Sequence, residues 1–461
     1  MTTSCPSSGP SSRNGADCVV LGRLIDWSGD PAALGSAAVR DLPAGALALR
    51  QGRIAWRGAA ADLPADFADA PERDYGRCLV LPGFVDPHVH FPQYRIVAAG
   101  GRGLLDWLDR FAFPEEQRYA DADHAAAAAE TFLDLLLAHG TTAALVFSTV
   151  HEEAADRLFV AAERRGMALA AGKTLMDRGA PAALRDDAET GLRASERLYA
   201  RWHGRGRLRY ALSPRFAVTS GAAQLAAGGE FLKSYPDALM QTHLSETQEE
   251  IAEVARLFPD CADYTDVYDR FGLLGPQSLF AHGVHLSARE RERLGESGSA
   301  VVHCPTSNAF LGSGLFDIGP YSPAAGNAAP RLAVATDIGG GTSYSLPATL
   351  GSAYRTALLR GRRLSPERAF YLATLGNAEA LGLEDEIGRL ETDRYADLVV
   401  LDPCATPLLA ARDALSETLA DTLLALMILG DDRVVRASWV AGRQLHPKQD
   451  SPSDRGGASA V

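Results

Sequence analysis

The chain has 461 residues, 46% of them apolar and 22% charged, with a formal net charge of −13 at pH 7. That length exceeds what one core usually fills, so a large unit of about 250–350 residues and a smaller companion are expected. The acidic balance leaves no surplus of Lys and Arg to neutralise phosphates, which disfavours non-specific binding to nucleic acid or an anionic membrane and leaves small polar molecules as the expected partners.

In chain order, residues 1–16 are rich in Ser, Pro and Gly and are read as a flexible tail, as are residues 447–461 at the other end. The N-terminus lacks the charged start and apolar core of a secretory signal, and no apolar run of ~18 residues follows, so a cytoplasmic protein without a membrane span is expected. Within 17–80 the runs 18–24, 46–50 and 53–58 are short, partly alternating and broken by Gly or Pro, as in a small β unit. The same texture returns in 386–446, at 387–390, 396–402 and 434–442, so the two ends are predicted to pair into one small β-sandwich domain. Between them, over 81–385, apolar runs alternate with helical stretches: the run ending in His90, then 141–150, 168–176, 208–216, 239–246, 278–286, 300–308 and 332–338. Eight continuously apolar strands separated by helices predict parallel strands buried on both faces, an α/β fold of the (β/α)8 TIM-barrel kind. Such barrels carry their chemistry at the C-terminal ends of the strands.

Metal-ligand residue types gather at those ends. In His88-Val89-His90 the two imidazoles alternate along a strand and can face one point; His243, His282 and Asp337 close three later runs. Three or four neutral imidazoles with one carboxylate suit zinc or iron. The six cysteines, Cys5, Cys18, Cys78, Cys261, Cys304 and Cys404, show no Cys-x-x-Cys spacing, which argues against a thiolate zinc site or a disulfide framework and fits a reducing compartment. Glu246, three residues after His243, sits where the strand turns outward and is the expected general acid and base. His303 ends the seventh strand and is read as a wall or support, not a ligand. Gly339-Gly340-Gly341 lacks the Gly-Lys-Ser or Gly-Lys-Thr ending of a phosphate loop and is read as a tight strand-end turn. Arg355, Arg360, Arg362 and Arg363 are read as a solvated helix face or subunit contact.

The order His-x-His, His, His, Asp on an eight-stranded barrel flanked by split β strands resembles the amidohydrolase superfamily. Six longer segments resemble its guanine-deaminating branch: Pro-Gly-Phe-Val-Asp-Pro-His-Val-His-Phe-Pro-Gln (82–93), Leu-Leu-Asp-Trp-Leu-Asp-Arg-Phe-Ala-Phe-Pro-Glu-Glu (104–116), Ser-Pro-Arg-Phe (213–216), His-Leu-Ser-Glu-Thr (243–247), His-Cys-Pro-Thr-Ser-Asn-Ala-Phe-Leu-Gly-Ser-Gly (303–314) and Thr-Asp-Ile-Gly-Gly-Gly-Thr-Ser (336–343). The resemblance implies that His88, His90, His243, His282 and Asp337 hold one zinc per chain, with iron as the alternative. It implies that Glu246 moves protons with help from His282 and Asp337, and that Gln93, Arg215 and Phe216 line a purine pocket. The implied reaction is hydrolysis of guanine to xanthine and ammonia, by a homodimer. Members of the superfamily with two metals bridge them with a modified lysine on the fourth strand; here Lys173 falls on the third and the fourth offers Arg215, so a single metal is expected and Lys173 is read as structural or paired with a carboxylate. Residues 104–114 are the expected lid. The competing readings are a related deaminase acting on another purine, a pterin or a triazine, and a non-catalytic assembly protein that kept the barrel.

Overall fold

The computed structural model describes residues 17–322 and 329–447; of the expected tails, 1–16 and 448–461 lie outside the described residues. Four strands open the chain: β1 (Cys18–Trp27), β2 (Val39–Arg50), β3 (Arg53–Ala59) and β4 (Glu72–Pro82). The barrel follows with β5 (Phe84–His90), β6 (Thr141–Phe147), β7 (Ala168–Gly172), the two-residue β8 (Thr174–Leu175), β9 (Leu208–Pro214), β10 (Leu239–Leu244), β11 (Ser278–His282), β12 (Ala300–His303) and β13 (Arg331–Val334). Last come β14 (Leu398–Leu401), β15 (Val435–Val440) and β16 (Arg443–His446).

Each predicted barrel run holds one strand of a parallel sheet in the order β5-β6-β7-β9-β10-β11-β12-β13, with β8 continuing β7 alongside β9. The ring closes through the His90 amide, which donates to the Ile338 carbonyl (2.6 Å), and the Asp337 amide, which donates to the His88 carbonyl (3.0 Å). The runs read as continuously apolar because both faces are covered. All seven residues of β6 are buried. Ala143 and Leu145 point inward to pack with Ala168, Ala170, Leu279 and Ala281, while Ala144 and Val146 point outward with Leu169 and Ala171 under the helical layer. Helix starts follow the local rule as well: Asp187, Thr247 and Ser287 each cap a helix with a reciprocal side-chain bond three residues on.

The two chain ends meet as the sequence predicts, in one seven-stranded sheet of order β16-β15-β14-β4-β1-β2-β3, where β14 lies antiparallel on β4 from Leu398 opposite Pro82 to Leu401 opposite Leu79. Arg207, just before β9, fastens this sheet to the barrel through two bonds to Asp397 (2.9 and 2.6 Å). Among the described residues no helix is long and apolar enough to cross a membrane.

Candidate active site

Strict alternation would not bring the predicted ligands together; two backbone irregularities do. In β5 Val85 faces the barrel interior and Val89 the outer layer. The register of β5 against β6 shifts between Asp86 and Val89, and that bulge reverses the parity so that His88 and His90 face inward. On β11 Leu279 and Ala281 point inward, so plain extension would turn His282 outward; its φ of 72° turns the imidazole back over the barrel mouth. Asp337 (φ 52°) and Ser245 (φ 50°) share this left-handed conformation, which costs a side-chain-bearing residue about 1–3 kcal/mol and gathers at functional sites. Behind Asp337 the glycine turn is required: a Cβ on Gly341 would lie 1.8 Å from the Thr336 carbonyl oxygen, and one on Gly339 2.6 Å from that of Gln93.

One donor atom each from His88, His90, His243 and Asp337 lies within 4.8 Å of all the others. His90 Nε2 is 3.2 Å from His243 Nε2, and Asp337 Oδ1 is 3.2 Å from His88 Nε2 and 3.4 Å from His90 Nε2. These separations match the edge of a tetrahedron with bonds of ~2.1 Å, about 3.4 Å. His282 Nε2 approaches the other carboxylate oxygen, at 3.8 Å, and stands 3.4 Å from Glu246 Oε2. His282 belongs to an overlapping group with His88, Asp337 and the fully buried thiol of Cys304, a neighbour that no Cys-x-x-Cys spacing announces.

The donors are held in the form that accepts a cation. Burial drives the His90 imidazole down to about 3 and His243 well below its ordinary range, so both are neutral at pH 7. Burial alone would raise Asp337, yet the imidazoles of His88, His90 and His282 around it hold its carboxyl well below the usual range. His243 Nδ1–H donates to the Arg215 carbonyl (2.7 Å) and His282 Nδ1–H to Asn308 Oδ1 (2.8 Å), which leaves each Nε2 unprotonated toward the cluster. Nε2 of His88 and Nδ1 of His90 are buried with no hydrogen-bond partner, as is Ser307 Oγ close to the turn. Nitrogen and carboxylate donors at these spacings, with an orphaned imidazole nitrogen among them, fit a zinc-sized cation.

A cavity opens over this cluster, lined by His90, Gln93, Arg215, Phe216, His243, Glu246, His282 and Asp337, with Leu104, Trp107, Leu108 and Leu311 as its apolar wall. Glu246 is 1% exposed. Burial and the Asp337 charge push its carboxyl up to about 8, against a hydrogen bond from Ser313 Oγ (2.7 Å), so it can both take and give a proton near neutrality.

Gln93 and Arg215, the residues expected to line the pocket, share a support that the sequence did not single out. Glu116, fully buried, accepts from Arg215 Nη1 on both oxygens (2.8 Å each) and from Gln93 Nε2 (2.8 Å), while Gln93 Oε1 accepts from the Gly339 amide (3.1 Å). The guanidinium and the amide are thereby locked side by side on the cavity wall. Glu116→Gln leaves the Arg215 charge buried without its carboxylate, and the expected loss is about 3–5 kcal/mol of folding stability. Urea unfolding checks it, and an unchanged midpoint would show that Glu116 holds nothing.

Other expectations find their places. Phe216 is 3% exposed and packs with Trp107, Phe113 and Leu311. The expected lid is helical around Leu104–Trp107 and supplies the apolar wall. Lys173 is buried in an ion pair with Asp186 and donates to the Thr174 carbonyl (3.1 Å). His303 stacks on Phe316 (ring centroids 4.4 Å apart) away from the cavity lining. Arg360 and Arg362, about half exposed, reach Asp317.

Residues 79–445 match the model of the amidohydrolase family. The guanine deaminase of Escherichia coli (strain K12) is 44% identical over 90% of this chain and 93% of its own length. Among solved structures, the guanine deaminase from Bradyrhizobium japonicum superposes with a TM-score of 0.89 at 36% identity, over 94% of this chain and all of that one. The guanine deaminase from C. acetobutylicum, with guanine bound in its active site, superposes with a TM-score of 0.83 at 27% identity, over 93% of this chain and all of that one. With its barrel, its strand-end cluster and likeness along nearly its whole length, this chain belongs to the amidohydrolase family, among the guanine deaminases.

Proposed function

We infer that the protein hydrolyses guanine to xanthine and ammonia, with His88, His90, His243, His282 and Asp337 holding a single zinc ion. The observation that carries this is the joining, in one cavity, of a proton-exchanging carboxyl, a nitrogen-and-carboxylate donor cluster and the Glu116-held side chains of Gln93 and Arg215 together with Phe216. The relatives that are guanine deaminases support the choice of ring.

Zinc in this cluster would supply the positive charge that brings a water toward a pKa of ~7. Gln93 and Arg215, held by Glu116, present hydrogen bonds in the plane of the base, and Phe216 packs on its face, which sets the amine-bearing carbon toward the cluster. Glu246 takes one proton from the attacking water and returns it to the ring nitrogen beside that carbon. Asp337 takes the second and passes it to the amine, which leaves as ammonia while the carbon keeps the water's oxygen. His282, between Glu246 and Asp337, turns its Nε2 to that oxygen and steadies it as part of the donor cluster. Leu104, Trp107 and Leu108 keep bulk water from the ring. We place the enzyme in the cytoplasm, which the five free cysteines among the described residues support, and as a homodimer, which its family resemblance supports.

The test is ammonia release, with the ultraviolet change from purine to oxopurine, from guanine, adenine, guanosine, cytosine and a triazine, using protein of known metal content. Turnover confined to guanine is expected. Conversion of another ring instead would keep the metal chemistry and discard the roles of Gln93 and Arg215.

A further inference from the structure

The metal cluster, the proton shuttle and the pocket wall stand on different strand ends, yet one buried group of hydrogen bonds behind β10 touches all three. Glu250 is fully buried; its Oε2 accepts from the amides of Glu246 (2.8 Å) and Thr247 (3.2 Å), and its Oε1 accepts from the Tyr264 hydroxyl (2.9 Å). Tyr264 and Tyr268 lie one turn apart on the helix Tyr264–Arg270 with rings stacked 5.5 Å apart. The Tyr268 hydroxyl donates to the His243 carbonyl (2.8 Å), accepts from the Ala217 amide (3.1 Å) and lies 3.1 Å from Thr242 Oγ1. Thr242 donates to the Arg215 carbonyl (3.2 Å), the same oxygen that takes His243 Nδ1–H.

Closing a helix end does not require this arrangement. The capping box of Thr247 and Glu250 needs the bond to the Thr247 amide, which is the longer of the two; the shorter goes one residue further back, to the shuttle's own amide. Ser245, immediately before Glu246, has a φ of 50°, so the chain there must be held from outside. The Tyr268 hydroxyl likewise makes its shorter contacts with segments that carry site residues, and only its longest, at 3.5 Å, with Tyr264 on its own helix.

We propose that Glu250, Tyr264 and Tyr268 are positioning residues that fix Glu246 relative to His243 and to the Arg215–Ala217 wall, an inference that rests on the reading of Glu246 as shuttle in a guanine site. Glu250 holds the shuttle's amide directly and reaches the wall only through Tyr264, whereas Tyr268 bonds both the His243 backbone and the wall. The two therefore separate in kinetics. Glu250→Ala lowers kcat about 10–100-fold with KM nearly unchanged, the scale on which supports of metal-site residues act. Tyr268→Phe lowers kcat and raises KM together. Glu250→Gln keeps a carbonyl oxygen for the two amides and turns its own amide group to the Tyr264 oxygen, so it recovers kcat to within about threefold of wild type on the same scale.

The experiment measures kcat and KM for guanine, zinc content and thermal midpoint in wild type and the three variants. A role confined to stability would lower the midpoints and leave kcat per bound zinc unchanged; that result, or a Glu250→Gln as slow as Glu250→Ala, overturns the proposal. Should Glu250→Ala fail to fold, Tyr268→Phe decides by its joint change in kcat and KM. Wild-type turnover of guanine is read first. If wild type converts a different ring, the guanine reading falls and the same variants, assayed on that ring, still test the positioning cluster; if zinc-loaded wild type converts none, both fall.

Discussion

Glu246→Gln is expected to keep its zinc and lose about 10²–10⁴-fold in kcat, the range that a positioned acid or base supplies. The amide matches the carboxylate in shape and can still accept the Ser313 hydroxyl bond, so the pocket persists and only proton exchange is removed. The raised carboxyl adds a second readout. A carboxyl lifted from its ordinary value to about 8 by burial and Asp337 keeps its proton in the folded state after the unfolded chain has lost it. It therefore draws stability from the metal-free protein as pH rises between about 4.5 and 8, since the unfolded state then binds fewer protons. Metal-free Glu246→Gln should match wild type in urea midpoint near pH 5 and exceed it at pH 8. Near wild-type turnover with zinc retained would sink the shuttle role, and a midpoint difference independent of pH would remove the stored proton.

The barrel was legible because its strands are buried on both faces, which writes itself into sequence as unbroken apolar runs such as Thr141–Phe147. The pairing of the chain ends was legible for a related reason: short alternating runs at both termini each lack a partner nearby. Ligand types at strand ends marked the site, but not how they converge. A reader of the sequence alone would point Val85 and Val89 to the same face, and nothing in Phe-Ala-His-Gly announces a left-handed His282. Backbone departures of this kind depend on neighbouring strands, and residue patterns do not record them. Glu116 was hidden by distance, since its partners Gln93 and Arg215 lie 23 and 99 residues away. Its only local sign is an acidic pair directly after the aromatic run Phe111-Ala112-Phe113-Pro114, where a carboxylate has no reason to be buried unless a cation meets it. Ser313 and Asn308, which orient Glu246 and His282, left no sign beyond the likeness of their segment to the family.

Removing the metal with a chelator is expected to abolish turnover while leaving the barrel folded, and one equivalent of zinc per chain should restore it. The donors sit on strand ends above the packed interior of Ala143, Leu145, Ala168 and Ala281, so the core does not depend on what they hold. The neutral imidazoles of His90 and His243 also bury no charge when the cation leaves. Binding to the folded state alone adds stability by mass action, about 4 kcal/mol at a free metal concentration a thousand times Kd, so the thermal midpoint should climb with added zinc. The stoichiometry tests the single-metal reading directly. A second ion would need a bridging group on the third or fourth strand, but Lys173 is committed to Asp186 and Arg215 to Glu116, both buried and already neutralised. Two equivalents bound with restored activity would overturn that reading, and full activity with iron but not zinc would reassign the ion while leaving the five donors in place.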